Sequence, residues 1–283
     1  MRRLVSKVLL VALACGAGSA ITAPSATAGS APPERVVSIS PTATEMLFAI
    51  GAGDQVVAVD DQSNFPADAP TTDLSSFEPN AEAIAGYDPD LVVAPNSSVK
   101  DALESLGIDV LVLPDAAKLR DTYSQILRLG KVTGHVAKAK ALNASIRGDI
   151  AAIVEEVPQR RDAPTAYYEL DDTYFSADSS TFIGRLVKLS GLANIADGVP
   201  GDGSGYPQLS AEYIVDEDPD VVFLADTKCC NQSAETVAAR PGFADLTAVD
   251  KNHVVALDDD IASRWGPRVV DLLELIVEST KKL

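Results

Sequence analysis

Histidine is almost missing from this chain. His135 and His253 are the only two in 283 residues, so a multi-histidine zinc site cannot be assembled. Both are expected to be ordinary surface residues, His135 inside a long helix and His253 in the turn "DKNHVV". There is no G-x-S-x-G nucleophile turn and no G-x-x-x-x-G-K-S/T phosphate loop. The glycine runs are misplaced for a dinucleotide, which needs strand, glycines and then a helix N-terminus for its pyrophosphate. "GAG" at 51–53 follows a helix, and "GVPGDGSG" at 198–205 has no strand before it. Basic residues are also few, 23 against 41 acids, and the net charge of −18 repels nucleic acid and anionic membrane. Neither is expected as a partner, although the same acidity also serves solubility or high salt. No histidine or nucleophile stands near the acidic clusters, so no catalytic residue and no cofactor are expected.

What is present begins with an export signal. "MRR" and Lys7 form a basic start, "VLLVALACGAGSAI" is an apolar run, and "ATA" at 26–28 is a cleavage signal. "ALAC" also resembles a lipobox, which would make Cys15 a lipid anchor; Leu13 stands two places before Cys15 where that motif wants three, and both readings stand. Loss of residues 1–28 removes three bases and no acid, moving the net charge to −21. After that signal no stretch approaches the roughly 20 apolar residues of a membrane span.

The mature chain alternates strands and helices, which implies α/β architecture with parallel sheets covered on both faces. "RVVSIS" reads as a strand and "PTATEMLFAIGAG" as a helix, with Thr42 and Glu45 at capping-box spacing. Residues 118–157 carry no strand signal, and 133–157 reads as one helix of roughly 22 residues, about 33 Å long. The expected organisation is an N-terminal lobe over 34–132, an interlobe helix over 133–158 and a C-terminal lobe over 163–283. "NAEAIAGYDPDLVVAP" (80–95) returns as "SAEYIVDEDPDVVFLA" (210–225), so two Rossmann-like lobes follow one plan. Asn80 and Ser210 each cap a helix, and Glu82 and Glu212 sit in its first turn, where a carboxylate gains a few tenths of a kcal/mol from the helix dipole.

Three acidic clusters, at 60–61, 169–172 and 258–260, could hold a hard cation, but none has calcium-loop spacing and no metal site is expected. Cys229 and Cys230 follow a strand at the sheet edge where open α/β folds bind ligands. Side by side in an exported protein they are expected to form a vicinal disulfide, either a stiff plate facing that edge or a turn lock. "DDDIASRWGPR" (258–268) has the same address, and Arg264 with Trp265, the only tryptophan, points to ligand contact, though Arg264 would also neutralise the acids around it.

Across the mature chain, "RVVSISPTATEMLFAIGAG", "FEPNAEAIAGYDPDLVVAP", "YPQLSAEYIVDEDPDVVFLA" and "DDDIASRWGPR" resemble the iron-siderophore and vitamin B12 class of substrate-binding proteins of ABC importers. The resemblance implies two α/β lobes joined by one long helix, a ligand cleft between them, and little movement on binding. It implies a monomer in the cell envelope that hands a ferric siderophore, corrinoid or similar chelate to an ABC permease. Carried over from the vitamin B12-binding members, Glu82 and Glu212 would meet arginines of that permease. Phe77 and Tyr206 match aromatic ligand contacts, Asp260 and Arg264 a polar pair on the far wall, and Gln62 stands where those members have tyrosine. The competing readings are a secreted enzyme on a two-lobe scaffold and a cell-surface sensing module.

Overall fold

The computed structural model describes residues 31–283. The expected signal segment and Cys15 lie outside them. Strands β1 (Val36–Ser38), β2 (Val56–Val59), β3 (Leu91–Ala94) and β4 (Asp109–Val112) alternate with helices α1 (Pro41–Ala49), α2 (Ala81–Ala85) and α3 (Lys100–Ser105) in the first lobe. Helices α4 (Leu119–Val132) and α5 (Val136–Glu155) follow without a strand. The second lobe runs β5 (Thr165–Glu169), α6 (Phe182–Leu189), β6 (Ala193–Asn194), α7 (Ala211–Glu217), β7 (Val221–Leu224), α8 (Ala234–Ala238), α9 (Thr247–Asp250), β8 (Val254–Ala256), α10 (Asp259–Ala262) and α11 (Val269–Thr280).

Each lobe holds one four-stranded parallel sheet, in the orders β2-β1-β3-β4 and β6-β5-β7-β8. The orders are the same in plan: the first strand of each lobe lies second from the edge, and the chain crosses over to build outward on both sides. The central strands β3 and β7 are apolar at every position because helices cover both faces. β3 "LVVA" and β7 "VVFL" are buried throughout. β6 is only two residues long and has no signal in the sequence.

The repeated D-P-D segment has a geometric explanation in this plan. Asp88 and Asp218 both take a positive φ, 51° and 41°, which ends the helix before the strand. Two residues on, Asp90 Oδ2 accepts from the backbone N–H groups of Glu34 and Arg35 at 2.8 and 2.9 Å. Asp220 Oδ2 accepts from the N–H of Thr165 at 2.8 Å. Each lobe therefore uses its second aspartate to hold the start of its own central strand.

At α1 the local expectation fails. Its N-cap is Ser40, whose Oγ accepts from the Ala43 N–H, with Pro41 in the first turn. Thr42 and Glu45 form no capping box, because Glu45 turns inward and is 2% exposed.

α5 has 20 residues, about 30 Å. His135 is its N-cap rather than part of its interior. Gly134, at φ +82°, turns the chain between α4 and α5, and at Gly130 an added Cβ would lie 2.5 Å from the Ala139 Cβ, so glycine lets the two helices touch. α5 also packs on α11. One apolar cluster runs unbroken from Val36 and Met46 through Leu129 and Ile146 to Tyr168, Phe223 and Leu273. The lobes thus share a core through α5, and a close-packed shared core resists hinge motion more than a solvated linker does.

Candidate functional site

The loops at the carboxyl ends of the strands meet between the lobes around a cleft of about 590 Å³. Open α/β sheets bind ligands at this edge. From the first lobe come Ile39 to Thr42 after β1, Gln62 and Asn64 after β2, Ser76 and Phe77 before α2, and Pro95 after β3. From the second come Lys228 and Cys229 after β7, and Asp259, Asp260, Ser263, Arg264 and Trp265 after β8.

The first-lobe wall is open. Phe77 is 82% exposed, a large apolar ring with almost nothing against it. Gln62 and Asn64 are exposed beside it. Such a ring in a concave site is apolar area ready to be covered, as ligand pockets require.

The second-lobe wall is a lattice of charge already neutralised. Arg264 lines the cleft but is 8% exposed, held among acceptors as its acidic surroundings in the sequence also suggest. Its Nη1 donates to Glu45 Oε1 at 3.0 Å and Asn64 Oδ1 at 3.1 Å; its Nη2 donates to the Gln62 carbonyl at 2.9 Å and Asp260 Oδ1 at 2.7 Å. Arg268 donates to both oxygens of Glu45, at 2.5 and 3.0 Å, and lies 4.3 Å over the Phe65 ring. Burial works against the Arg268 charge, but the Glu45 carboxylate outweighs it and raises the pKa. Two guanidinium groups of the second lobe thus close on one buried carboxylate of the first. Trp265 extends the tie: its Nε1 donates to Gln125 Oε1 at 3.1 Å and its carbonyl accepts from Thr122 Oγ1, leaving part of the ring toward the cleft.

Lys228, which the sequence does not single out, donates through Nζ to Asp258 Oδ2 and Asp260 Oδ2, both at 2.8 Å. Its place beside Cys229 after β7 is the one signal that could have found it. Asp260 also accepts from Asn64 Nδ2 at 2.9 Å across the cleft. Asp259 takes the N–H groups of Lys228 and Cys229 and the Thr227 hydroxyl. Burial pushes both carboxyls up, yet these donors hold Asp259 and Asp260 below the ordinary carboxylate value. The other acidic clusters are likewise occupied: Asp60 binds the Gln62 N–H and Ser63 hydroxyl, and Glu169 binds Arg240. Among the described residues no group of three or more such ligands could hold a metal ion.

Cys229 and Cys230 stand side by side as free thiols in this structure. Burial, then Cys230 and the carboxylates of Asp259 and Asp226, push the Cys229 thiol up to about 12. Cys229 lines the cleft; Cys230 does not. Behind them Asp226 is fully buried with neither carboxylate oxygen partnered, and burial followed by the Glu169 charge raises its carboxyl to about 7. Tyr206 also lies outside the cleft lining. It is 44% exposed, and burial, then the charges of Asp115 and Asp178, raise its phenol. Asp115 follows β4, so Tyr206 faces the first lobe at another part of the seam. Glu82 and Glu212 are exposed in the first turns of α2 and α7, whose caps Asn80 and Ser210 accept from the Ala83 and Tyr213 N–H groups.

Residues 36–261 match the family described as periplasmic binding protein. A cobalamin-binding protein of Halobacterium salinarum is 37% identical over 250 residues, 84% of this chain and 67% of that one. An uncharacterised ABC transporter substrate-binding lipoprotein of Bacillus subtilis is 29% identical over 87% of this chain and 80% of its own. The crystal structure of the periplasmic vitamin B12-binding protein of Vibrio cholerae superposes with a TM-score of 0.71 at 24% identity, covering 88% of this chain and 97% of that one, and shares the two-lobe fold. The chain belongs to the periplasmic binding protein family of ABC-type import, whose members are binding proteins of the cell envelope.

Proposed function

We propose that this member of the family captures a corrinoid in the interlobe cleft and delivers it to an ABC permease. The observation that carries the reading is the asymmetry of the cleft. A bare aromatic, Phe77, faces a wall whose charges are already paired, in a chain 37% identical to a cobalamin-binding protein. Lys228 and Arg264 are engaged by carboxylates, so the wall has no spare cation for a dianionic ligand such as haem. A corrinoid with a rim of neutral amides instead meets the exposed side-chain amide of Gln62, and its apolar faces meet Phe77 and Trp265. Cys229 borders the ligand; Cys230 and Tyr206 act from outside its contact surface, and Arg264 acts by holding the wall in place.

Glu82 and Glu212, one carboxylate per lobe, are the points that meet the permease, where charge complementarity sets orientation and encounter rate. The mature protein acts outside the cytoplasmic membrane as a monomer, tethered through Cys15 or free.

The test is titration of the mature chain with cyanocobalamin, haemin and ferrichrome, following Trp265 fluorescence. Saturable one-to-one binding of cyanocobalamin, with haemin at least about tenfold weaker, is expected, a gap of roughly 1.4 kcal/mol. Haemin binding tighter than cyanocobalamin would refute the corrinoid assignment. Turnover of any of the three would refute the receptor reading itself.

A further inference from the structure

In a chain with 23 bases and 41 acids, positive charge gathers in one groove away from the cleft. Lys118 and Arg120, at the start of α4, and Arg185 and Lys188, on α6, surround a cavity of about 490 Å³. Its floor is apolar, formed by Phe182 and by Leu189, which is 37% exposed, and no acidic residue lines it. The neighbouring acids Asp197 and Asp121 stand outside its lining. Asp197 accepts from the N–H and hydroxyl of Ser179 at 2.7 Å each, and Asp121 pairs only loosely with Arg120 at 3.6 Å. Among the described residues Lys118, Arg185 and Lys188 make no ion pair.

Sheet order separates this groove from the cleft. The cleft draws on the loops after β1, β2 and β3 in the first lobe and after β7 and β8 in the second. The groove draws on the loop after β4, the opposite edge strand of the first sheet, and on α6, which leads to β6, the opposite edge of the second. It lies at the other flank of the interlobe seam.

We propose that this groove is a second binding site, specific for a single-chain aliphatic anion. Its volume is within the roughly 300–1,000 Å³ of small-molecule pockets, and apolar walls with a few convergent polar groups are what such pockets share. The chain of the ligand would cover Leu189, 37% exposed, and the half-buried Leu119, over the buried Phe182 ring, removing from water apolar surface that folding leaves exposed. Its anionic head would meet unpaired ammonium and guanidinium groups. The Arg185 guanidinium is already oriented there by the Ser180 carbonyl, which accepts from its Nε and Nη2 at 3.3 Å each. The acidic field of the rest of the molecule would repel the same anion, so capture would be confined to this patch.

The site is independent of what the cleft binds, and the test keeps the two apart. The mature chain is titrated calorimetrically with dodecanoate below its micelle concentration, with dodecyltrimethylammonium as the charge control and butyrate as the tail control. Saturable dodecanoate binding is expected, with both controls at least about tenfold weaker. Arg185→Glu and Lys188→Glu, both on the exposed side of α6, should each weaken dodecanoate on the order of tenfold, since they put like charge at the head. Cyanocobalamin affinity should stay unchanged in both variants. Salt raised from about 0.1 M to 1 M should weaken binding, as the screening length falls from about 10 Å to 3 Å. Equal binding of the cationic amphiphile, absence of dodecanoate binding, or indifference to both charge reversals would overturn the proposal. So would displacement of dodecanoate by cyanocobalamin, which would place the anion in the cleft.

Discussion

The two walls of the cleft come from lobes of one plan and differ in almost every physical property. The first-lobe wall presents the exposed Phe77 ring, the Gln62 amide and prolines, with Asn64 alone tied by its side chain across the seam to Arg264 and Asp260. The second-lobe wall presents Lys228, Asp259, Asp260 and Arg264, each bound to others, and reaches across the seam to Glu45. Folding has used the polar capacity of one wall and left the apolar capacity of the other open. The lesson is that the duplicated scaffold conserves strand order and the D-P-D anchor, while recognition is assigned to the loops that the duplication does not share.

The comparison breaks most severely at Glu45. Glu45→Gln would leave Arg264 and Arg268 buried against a neutral group, and removing one partner of a buried ion pair costs about 3–5 kcal/mol. Urea unfolding of the ligand-free chain should show that loss, and a change under about 1 kcal/mol would mean the tie is not structural. Asp226 probes the same wall by pH. Its folded carboxyl, raised to about 7 from 3.8, binds protons more tightly than the unfolded chain. Its contribution is therefore fully present below about pH 4, declines as pH rises, and is lost once pH passes about 7. Asp226→Asn should raise the melting temperature at pH 8 and do so less at pH 4; an effect equal at both pH values would remove Asp226 as the titrating group.

The open wall should respond in the opposite way. Phe77→Ala should alter ligand-free stability by less than about 0.5 kcal/mol, as exposed positions do. The same change should weaken cyanocobalamin about tenfold or more, as truncation of a buried aromatic anchor does. Unchanged affinity would show that the ring is not a contact. The smallest effect on the isolated protein belongs to Glu82→Ala with Glu212→Ala, a few tenths of a kcal/mol from the helix dipoles. That double variant should bind cyanocobalamin normally and fail to support uptake in cells; lost affinity would move the docking face elsewhere.

Much of the fold was legible because its signals are local. A cap bonds three residues ahead, and a buried strand is a short apolar run, so α2, α7, β3 and β7 could be read directly. The failures share one cause. Thr42 and Glu45 have capping-box spacing, yet Glu45 is claimed by arginines 219 and 223 residues away. Arg264 reads as a ligand contact or a neutraliser of the acids beside it, and docking of its loop on the first lobe adds partners, Glu45 and Asn64, that lie 219 and 200 residues away. At the cysteine pair, burial, then Cys230 and the carboxylates of Asp259 and Asp226, raise the Cys229 thiol, which adjacency in sequence does not show.

The sequence by itself determined that there are two α/β lobes of one design, with a long helix between them and a repeated capped helix and strand in each. Hydrophobic period and capping chemistry act over a few residues and do not depend on what packs against them. Only the tertiary structure decided which charged groups face the cleft and which are consumed in holding it. An ion pair between segments some 200 residues apart exists only once the shared core has set the two lobes against each other.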